Sequence, residues 1–352
     1  MKTSFTFRDW FREALFPVAA VMVALLVGVG LIVLAGKNPL TAYQALWGGA
    51  LGNPGALTGT LTKATPLMLT GLAVAFGFRC GLFNIGGEGQ LLVGALAAAL
   101  AGTYLAGWPR PIHLTLAVGA GIVGGGAWAI VPAVLKVKRG VHEVISTIMM
   151  NWIAVYMVHY LVVVPFKAPG EMPATRPIAE TAKLGLLVGP PNRLSAGILL
   201  ALACVVIVYI LLNRTSVGYE IRAVGLNPHA AEYAGIDAGR NAILALVVSG
   251  ALAGLAGVTE ILGTFHRFYD GFSPGYGFDG IPVALLARNN PWGIVLTALL
   301  FGALRNGSIT MQVEAGVSKE IVYAVQGMII IFIAGENMLR WALGARKEAA
   351  AR

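Results

Sequence analysis

Residues 61–106 read LTKATPLMLTGLAVAFGFRCGLFNIGGEGQLLVGALAAALAGTYLA, where two long apolar runs flank a polar, glycine-rich stretch from Gly81 to Gln90. A helical run of about 20 apolar residues spans the hydrocarbon core of a bilayer. Similar runs recur along the rest of the chain. The pattern therefore predicts an all-α, polytopic membrane protein.

The composition agrees with this prediction. Of the 352 residues, 57% are apolar and only 12% are charged, whereas an ordinary soluble domain has roughly 25% charged residues. The mean hydropathy is +0.77. A chain of this composition requires lipid around much of its surface.

The apolar runs predict about ten transmembrane helices, with both termini in the cytoplasm. Their predicted bounds are 14–35, 61–79, 88–106, 112–135, 143–165, 194–213, 241–262, 278–288, 291–306 and 320–339. The first run is longer than the roughly 7–15 residues of a cleavable signal peptide, so we expect it to remain. The eighth run is too short to cross at about 1.5 Å per residue, which predicts a half-helix or re-entrant segment.

Two stretches of the chain form blocks of opposite predicted orientation, 61–165 and 241–339, because an odd number of crossings separates them. Each block contains a glycine-interrupted polar region, first Gly81–Gln90 and later Gly271–Asn290. Paired broken segments in two halves point to a transport pathway. We therefore expect one transmembrane domain, 1–352, built from two inverted repeat blocks.

Glycine is abundant, with 46 residues and no fibrous period. Pairs four residues apart, such as Gly121 with Gly125 and Gly250 with Gly254, allow helix backbones to approach closely in a membrane. The alternative is a general bias of the composition toward glycine and alanine.

Polar and aromatic side chains near the broken segments are candidates for the pathway. A buried Glu88 in lipid is a functional candidate, whereas in a surface turn it would only favour the start of a helix. Amides can line a passage without the cost of a charge, and an aromatic ring can stack on a base. For each, the alternative is interhelical hydrogen bonding or anchoring at a span end. The candidates are Asn84, Glu88, Gln90, Asn151, Trp152, Phe278, Asp279 and Asn289.

Nucleotide binding by this chain is not expected. Gly275–Gly280 fits the pattern GxGxxG, but no strand precedes it and no βαβ unit surrounds it. No GxxxxGK[ST] phosphate loop occurs, since Gly36 and Lys37 are followed by Asn38. The sequence therefore predicts neither ATP hydrolysis nor a cofactor, and no enzyme.

Nucleic-acid and metal binding are likewise not expected. The net charge of +9 comes from basic residues scattered between apolar runs rather than from a basic stripe. Cys80 and Cys204 are distant in sequence and show no metal or disulfide spacing. Both are expected to be inert thiols.

The loop 214–240 contains a predicted short helix. Asn227 can cap it, Pro228 suits its first position, and Gly235 can end it in the left-handed conformation. Gly218 and Gly225, which precede this helix in the sequence, allow sharp bends of the chain. A short helix of this kind fits the groove of a partner protein, and the alternative is an amphipathic helix at the membrane interface.

Three stretches carry a specific resemblance: GLFNIGGEGQLLVGA (81–95), HEVISTIMMNWIA (142–154) and GYGFDGIPVALLARNNP (275–291). They resemble nucleoside-type ABC permeases, within the wider ribose and branched-chain amino-acid permease superfamily. With the loop after Arg214, the resemblance extends over most of the chain.

The resemblance implies an ABC importer permease fold in the bacterial plasma (inner) membrane and a nucleoside as the small-molecule substrate. Ribose-like sugars and branched-chain amino acids are the alternatives. It also implies ABC ATPase subunits, an extracytoplasmic substrate-binding lipoprotein, and a second, paralogous permease in a heterodimer. The loop is then the ATPase-coupling segment, with Gly218, Arg222, Gly225, Asn227, Pro228, Ala230, Ala231, Tyr233 and Gly235 as candidate coupling residues.

Two other classes of function remain open from the residues alone. An ion-coupled secondary transporter needs titrating groups, and the acids near membrane depth are Glu88, Glu143, Glu260 and Asp279. Nothing in their spacing arranges them as a relay. A structural membrane protein without transport would not need the polar broken segments.

Overall fold

The computed structural model describes the backbone of residues 7–334 and the side chains of residues 19–332. This part of the chain is mostly helical. The α-helices are α1 (Phe7–Leu34), α2 (Pro39–Leu51), α3 (Pro54–Arg79), α4 (Gly87–Tyr104), α5 (Arg110–Arg139), α6 (Glu143–Val163), α7 (Gly197–Arg214), α8 (Ser216–Leu226), α9 (Pro228–Tyr233), α10 (Ala238–Glu260), α11 (Tyr276–Leu286), α12 (Pro291–Ala315) and α13 (Lys319–Ala334).

The remaining regular elements are short. A 3-10 helix covers Glu180–Ala182, and a π-helical turn, Ile261–Phe265, extends α10. The strands β1 (Leu186–Val188) and β2 (Leu194–Ser195) pair in an antiparallel hairpin. This hairpin lies in the loop after α6 and was not predicted from the sequence.

Six helical segments of the described chain are long and apolar enough to cross a membrane. They are Pro54–Arg79, Arg110–Arg139, Glu143–Val163, Gly197–Arg214, Ala238–Phe265 and Pro291–Ala315. The protein is thus a multi-pass helical membrane protein. The predicted eighth span corresponds to α11, which has only 11 residues, and residues 335–339 of the predicted tenth span lie outside the described residues.

Helix starts differ from the predicted spans where a local capping signal lies outside the apolar run. The α3 helix begins at Pro54 rather than at residue 61, and the side chain of Asn53 accepts a 2.8 Å hydrogen bond from the Ala56 N–H. The unpredicted helix α2 begins in the same way, with Asn38 as its cap and Pro39 at its first position. Asparagine at the cap and proline at the first helical position both favour helix initiation.

The described chain forms two compact units. Of the described residues, the first unit comprises 7–56 and 303–334, and the second comprises 57–302. In the first unit α1 packs against α13, and the Tyr43 hydroxyl donates a 2.7 Å hydrogen bond to the carbonyl of Leu25. The single domain and its inverted repeat blocks stay predictions.

The core of the second unit is a three-helix contact of α4, α5 and α10. Glycines let the three backbones touch: a Cβ added at Gly125 would lie 2.3 Å from the Gly250 carbonyl oxygen and 2.7 Å from the Gly254 Cα. A Cβ at Gly94 would lie 2.4 Å from the Gly254 Cα. The predicted close packing by paired glycines is confirmed for Gly121 with Gly125 and for Gly250 with Gly254.

Candidate functional site: two contacting broken segments

The polar stretch after α3 is a break in the helical path. Gly81 has a φ of +74°, in the region that glycine adopts without strain. The chain then runs without helix to Gly87, where α4 begins. Backbone groups at such a break lose their helical partners, so other groups must bond those that are buried from water.

Asn84 is central to the hydrogen bonding of this break. Its side-chain amide donates to the Gln90 Oε1 at 2.9 Å and to the Ser249 Oγ of α10 at 2.8 Å. The Asn84 Oδ1 accepts from the Gly86 N–H at 2.9 Å, and Ser249 donates to the carbonyl of Ala73 at 2.6 Å. Asn84 and Gln90 are both buried. The network therefore fixes the break to α3, α4 and α10.

Asn151 of α6 holds the break from another side. Its Oδ1 accepts a 2.8 Å hydrogen bond from the Gly89 N–H, and its Nδ2 donates a 2.8 Å bond to the Ile85 carbonyl. The first N–H groups of a helix have no partner within it. Asn151 thus satisfies one backbone group on each side of the start of α4.

Glu88 connects the first broken segment to the second. It lies in the first turn of α4, is buried, and its Oε2 accepts a 2.7 Å hydrogen bond from the Gly277 N–H at the start of α11. A Cβ at Gly277 would lie 2.2 Å from the Glu88 nitrogen. Glu88 is therefore buried and not in a surface turn, although it does lie in the first turn of a helix, as the alternative predicted.

The second broken segment ends in a tight turn after α11. Arg288 and Asn289 both have positive φ, at 51° and 55°. The Arg79 guanidinium donates to the Asn289 carbonyl at 2.9 and 3.2 Å. The buried Oδ1 of Asn289 has no hydrogen-bond partner in the described part of the chain. Left-handed conformations at non-glycine residues are strained and recur at functional sites.

The glycines of the Gly275–Gly280 string have packing roles. Gly275 precedes α11 with a φ of +95°, and Gly277 packs on Glu88. A Cβ at Gly280 would lie 2.7 Å from the Thr70 backbone. Gly277 and Gly280 therefore serve helix contact, a role that was not predicted from the sequence.

The predicted pathway residues divide into two groups. Asn84, Glu88, Gln90 and Asn151 are buried and bonded within the protein, which agrees with the alternative of interhelical hydrogen bonding. Trp152 and Phe278 are 57% and 45% exposed, whereas Asp279 and Asn289 are half-buried. A role in substrate passage stays a prediction for all eight.

The segment 214–240, which the resemblance assigns to ATPase coupling, forms two helices, α8 and α9. Gly218 and Gly225, where bends were predicted, both lie within α8, and the breaks between helices fall at Thr215 and Asn227 instead. The Asn227 Oδ1 accepts a 3.1 Å hydrogen bond from the Ala230 N–H, and Gly235 ends the turn with a φ of +82°. The predicted cap, first position and left-handed end are thus confirmed. The α8 helix has its own cap, because the Thr215 hydroxyl accepts from the Gly218 N–H at 3.1 Å.

Only part of this segment faces outward. Tyr233 is 95% and Leu226 is 89% exposed, and Asn227, Pro228 and Ala230 are also exposed. Ala231 is buried, and a Cβ at Gly225 would lie 2.2 Å from the Arg79 carbonyl oxygen. Three of the candidate coupling residues face inward: Gly218, Gly225 and Ala231. They position the segment and present no side chain to a partner protein.

A polar cavity at the far end of α10 was missed from the sequence. It has a volume of about 150 Å³, and its lining includes Thr62, Arg193, Ser195, Thr264 and His266. Burial lowers the pKa of His266 below its usual value, and the positive charge of Lys183 lowers it further. The hairpin that closes this cavity has no periodic signal in the sequence, so nothing indicated it.

These features define the class: a multi-pass helical membrane protein whose helices break at two contacting polar segments, as in transporters. A model of the family "Branched-chain amino acid transport system / permease component" matches residues 56–334. The chain belongs to this family of permease components of transport systems. Such permeases are translocation components rather than enzymes.

Curated relatives cover nearly the whole chain. The guanosine ABC transporter permease protein NupP of Bacillus subtilis is 42% identical over 95% of this chain and 97% of its own length. The glucose ABC transporter permease protein TsgB13 of Haloferax volcanii is 36% identical, over 93% and 89%. The nucleoside ABC transporter permease protein NupB of Lactococcus lactis is 37% identical, over 92% and 91%. No solved structure matches the chain at a significant level.

Proposed function

We propose that this ABC transporter permease forms part of the import pathway for nucleosides. The main support for a nucleoside substrate is the 42% identity to a guanosine permease over 95% of the chain. A nucleoside permease of another bacterium is 37% identical. The short motifs at 81–95, 142–154 and 275–291 support the same assignment, because each resembles nucleoside-type permeases.

The proposed topology has about ten membrane segments, of which α11 is a half-helix too short to cross by itself, with both termini in the cytoplasm. These segments are the six long apolar helices together with α1, α4, α11 and α13. The basic residues at the end of α5, Lys136, Lys138 and Arg139, and the segment 214–240 then lie in the cytoplasm, as the positive-inside rule expects. The polar cavity lined by Thr62 and His266 lies at the extracytoplasmic end.

In this proposal α8 and α9 are the contact for a separate ABC ATPase. ATP-driven closure of the ATPases would move this segment, and Gly225, near the end of α8, transmits the motion because its backbone lies against Arg79 at the end of α3. An extracytoplasmic binding lipoprotein delivers the substrate. A second, paralogous permease completes the pore, as implied by the resemblance to nucleoside-type permeases.

The decisive test is uptake of radiolabelled guanosine by cells that contain this chain, its ATPase, the second permease and the binding lipoprotein. We expect uptake to fall to the background level when the phosphate-loop lysine of the ATPase is replaced by alanine, because the energy comes only from that chain. Persistent uptake with the inactive ATPase would contradict the ABC assignment and favour an ion-coupled transporter.

Glucose and related sugars are the second candidate substrate, because of the 36% identity to a glucose permease. Competition between labelled guanosine and unlabelled inosine, ribose, glucose or leucine separates the candidates. We expect inosine to compete and the other three to have little effect. If glucose or ribose competes and inosine does not, the substrate is a sugar and the nucleoside assignment is wrong.

Two exposed side chains, Leu226 at the end of α8 and Tyr233 at the end of α9, give a direct test of the coupling role. We expect Tyr233→Ala together with Leu226→Ala to lower co-purification of the ATPase at least several-fold, since exposed aromatic and apolar anchors dominate interfaces. Membrane insertion should be unchanged, because both side chains lie outside the packed part of the segment.

The matched control for this test is Tyr104→Ala, an exposed tyrosine at the other end of the second unit. It should leave the ATPase bound. Full recovery of the ATPase with the double variant would assign α9 to the membrane interface instead.

A further inference from the structure

The α6 helix exposes a face unlike those of its neighbours. Trp152, Tyr156 and Tyr160 are 57%, 67% and 59% exposed, and the His159 side chain is 54% exposed. Spacings of three and four residues place these side chains on one side of a helix. Met149 extends the same face, which also includes the exposed Ile145 and Ile153. We call Met149, Trp152, Tyr156, His159 and Tyr160 the aromatic face of α6.

Neighbouring long helices of the second unit expose aliphatic side chains along their middle. On α7 the exposed large residues are Leu199, Leu202, Val206, Ile207 and Ile210. On α5 they are Ile112, Leu116, Val123, Ile130, Val131 and Leu135. Aliphatic surfaces of this kind match lipid tails. The aromatic face of α6 therefore needs a different explanation from general exposure to lipid.

Depth along the helix strengthens the contrast. α6 has 21 residues, a length of roughly 30 Å at about 1.5 Å per residue, which equals the hydrocarbon thickness. Trp152 and Tyr156 lie in its central third. Tryptophan and tyrosine in membrane helices concentrate at the two interfaces instead.

The hydroxyl of Tyr156 makes no hydrogen bond within the described part of the chain. A hydroxyl moved from water into an apolar medium without a partner costs at least about 1 kcal/mol and up to several. The exposed imidazole of His159, about one helical turn farther along α6, is hydrogen-bonded to the Asp270 carboxylate at 2.6 Å. An unpartnered phenol in the central third of α6, with a polar imidazole farther along the same face, favours contact with water or with a polar ligand.

The opposite side of α6 is bonded to the helix break. Asn151, next to Trp152, joins the Ile85 carbonyl and the Gly89 N–H. The aromatic face is thus attached to the part of the protein where α4 begins, on a helix whose inner side is fixed. A rigid support of this kind is what an aromatic stacking surface requires.

We propose that the aromatic face of α6 lines the aqueous translocation pathway and stacks on the nucleobase as the substrate passes. The inference rests on the proposed nucleoside function and names the residues that recognise its base. The Trp152 and Tyr156 rings lie 6.3 Å apart at an interplanar angle of 28°. Consecutive rings let a planar base move from one to the next without losing contact, because stacking tolerates different bases.

Thiol labelling tests whether the face meets water. In the assembled complex with Cys204→Ala, the variants Trp152→Cys and Tyr156→Cys should react with a charged, membrane-impermeant methanethiosulfonate. Guanosine should slow the reaction several-fold. The matched controls Leu202→Cys and Ile207→Cys on α7 should stay unlabelled, because lipid covers them.

Uptake tests the stacking. We expect Trp152→Ala to lower the uptake of guanosine on the order of tenfold, as for loss of an aromatic ring beneath a base. Trp152→Phe should retain most of the uptake. Leu202→Ala should have no effect, and co-purification of the ATPase and second permease with every variant measures assembly separately.

The outcomes separate this inference from the proposed function. A wild-type complex that imports no guanosine contradicts the nucleoside function. The wild-type complex could import guanosine while the Tyr156→Cys variant stays unlabelled. This result would overturn the aqueous pathway, because lipid or the second permease would then cover the aromatic face. Labelling without protection by guanosine, or full uptake with Trp152→Ala, overturns the stacking.

Discussion

Gly125→Ala is expected to remove most of the folded protein from the membrane. The added Cβ would lie 2.3 Å from the Gly250 carbonyl oxygen and 2.8 Å from the Gly254 nitrogen. Both are backbone atoms, so no side-chain rotation relieves the contact, and α5 and α10 must separate. Overpacking of a well-packed interior costs about 1–3 kcal/mol, occasionally more, and a backbone clash belongs at the upper end of that range.

The measurements are the amount of full-length protein in membranes and the apparent melting temperature of the purified complex. Gly119→Ala is the matched control, because it lies on the same helix and a Cβ there meets nothing within 4 Å. It should preserve or slightly raise stability, since alanine favours helix by roughly 1 kcal/mol over glycine. Equal yields of the two variants would show that α5 and α10 do not pack this closely in the membrane.

Asn151→Ala is expected to abolish transport while leaving much of the protein inserted. The change leaves the Gly89 N–H and the Ile85 carbonyl without their 2.8 Å partner. Each buried group left unpaired costs about 1–3 kcal/mol. Because the two groups lie on either side of the start of α4, the break loses its attachment to α6.

Guanosine uptake per unit of purified complex is the readout, with the apparent melting temperature recorded in parallel. Asn213→Ala is the matched control, because the Asn213 amide makes only a local 2.9 Å bond to the Tyr209 carbonyl of its own helix. Near-normal uptake by Asn151→Ala would mean that the break is held mainly by Asn84 and Glu88.

Local signals of the sequence were the most reliable. The cap at Asn227, proline at the first position of α9 and the left-handed glycine at 235 all concern residues within one or two turns of each other. The length of α11, about half of a full membrane span, also follows from the shortness of its apolar run. Such features depend on backbone geometry and neighbouring atoms, so a single stretch of residues contains the information.

Partnerships across the fold were not predictable. Glu88 and Gly277 are 189 residues apart, and Asn84 and Ser249 are 165 residues apart. The sequence marks these polar residues as unusual in lipid but contains no signal for which groups meet. The inward direction of Gly225 and Ala231 was missed for the same reason, since it depends on the contact with Arg79 and the rest of the second unit.

The sequence alone determined that this is a membrane protein, that a helix break falls within each of the segments 81–90 and 271–290, and that the chain contains no phosphate loop. These properties follow from composition and local chemistry. Only the tertiary structure decided which polar groups hold the breaks together and which face of α6 stays open. The physical reason is that lipid is as apolar as a helix interface, so hydrophobic patterning does not separate a packed face from an exposed one.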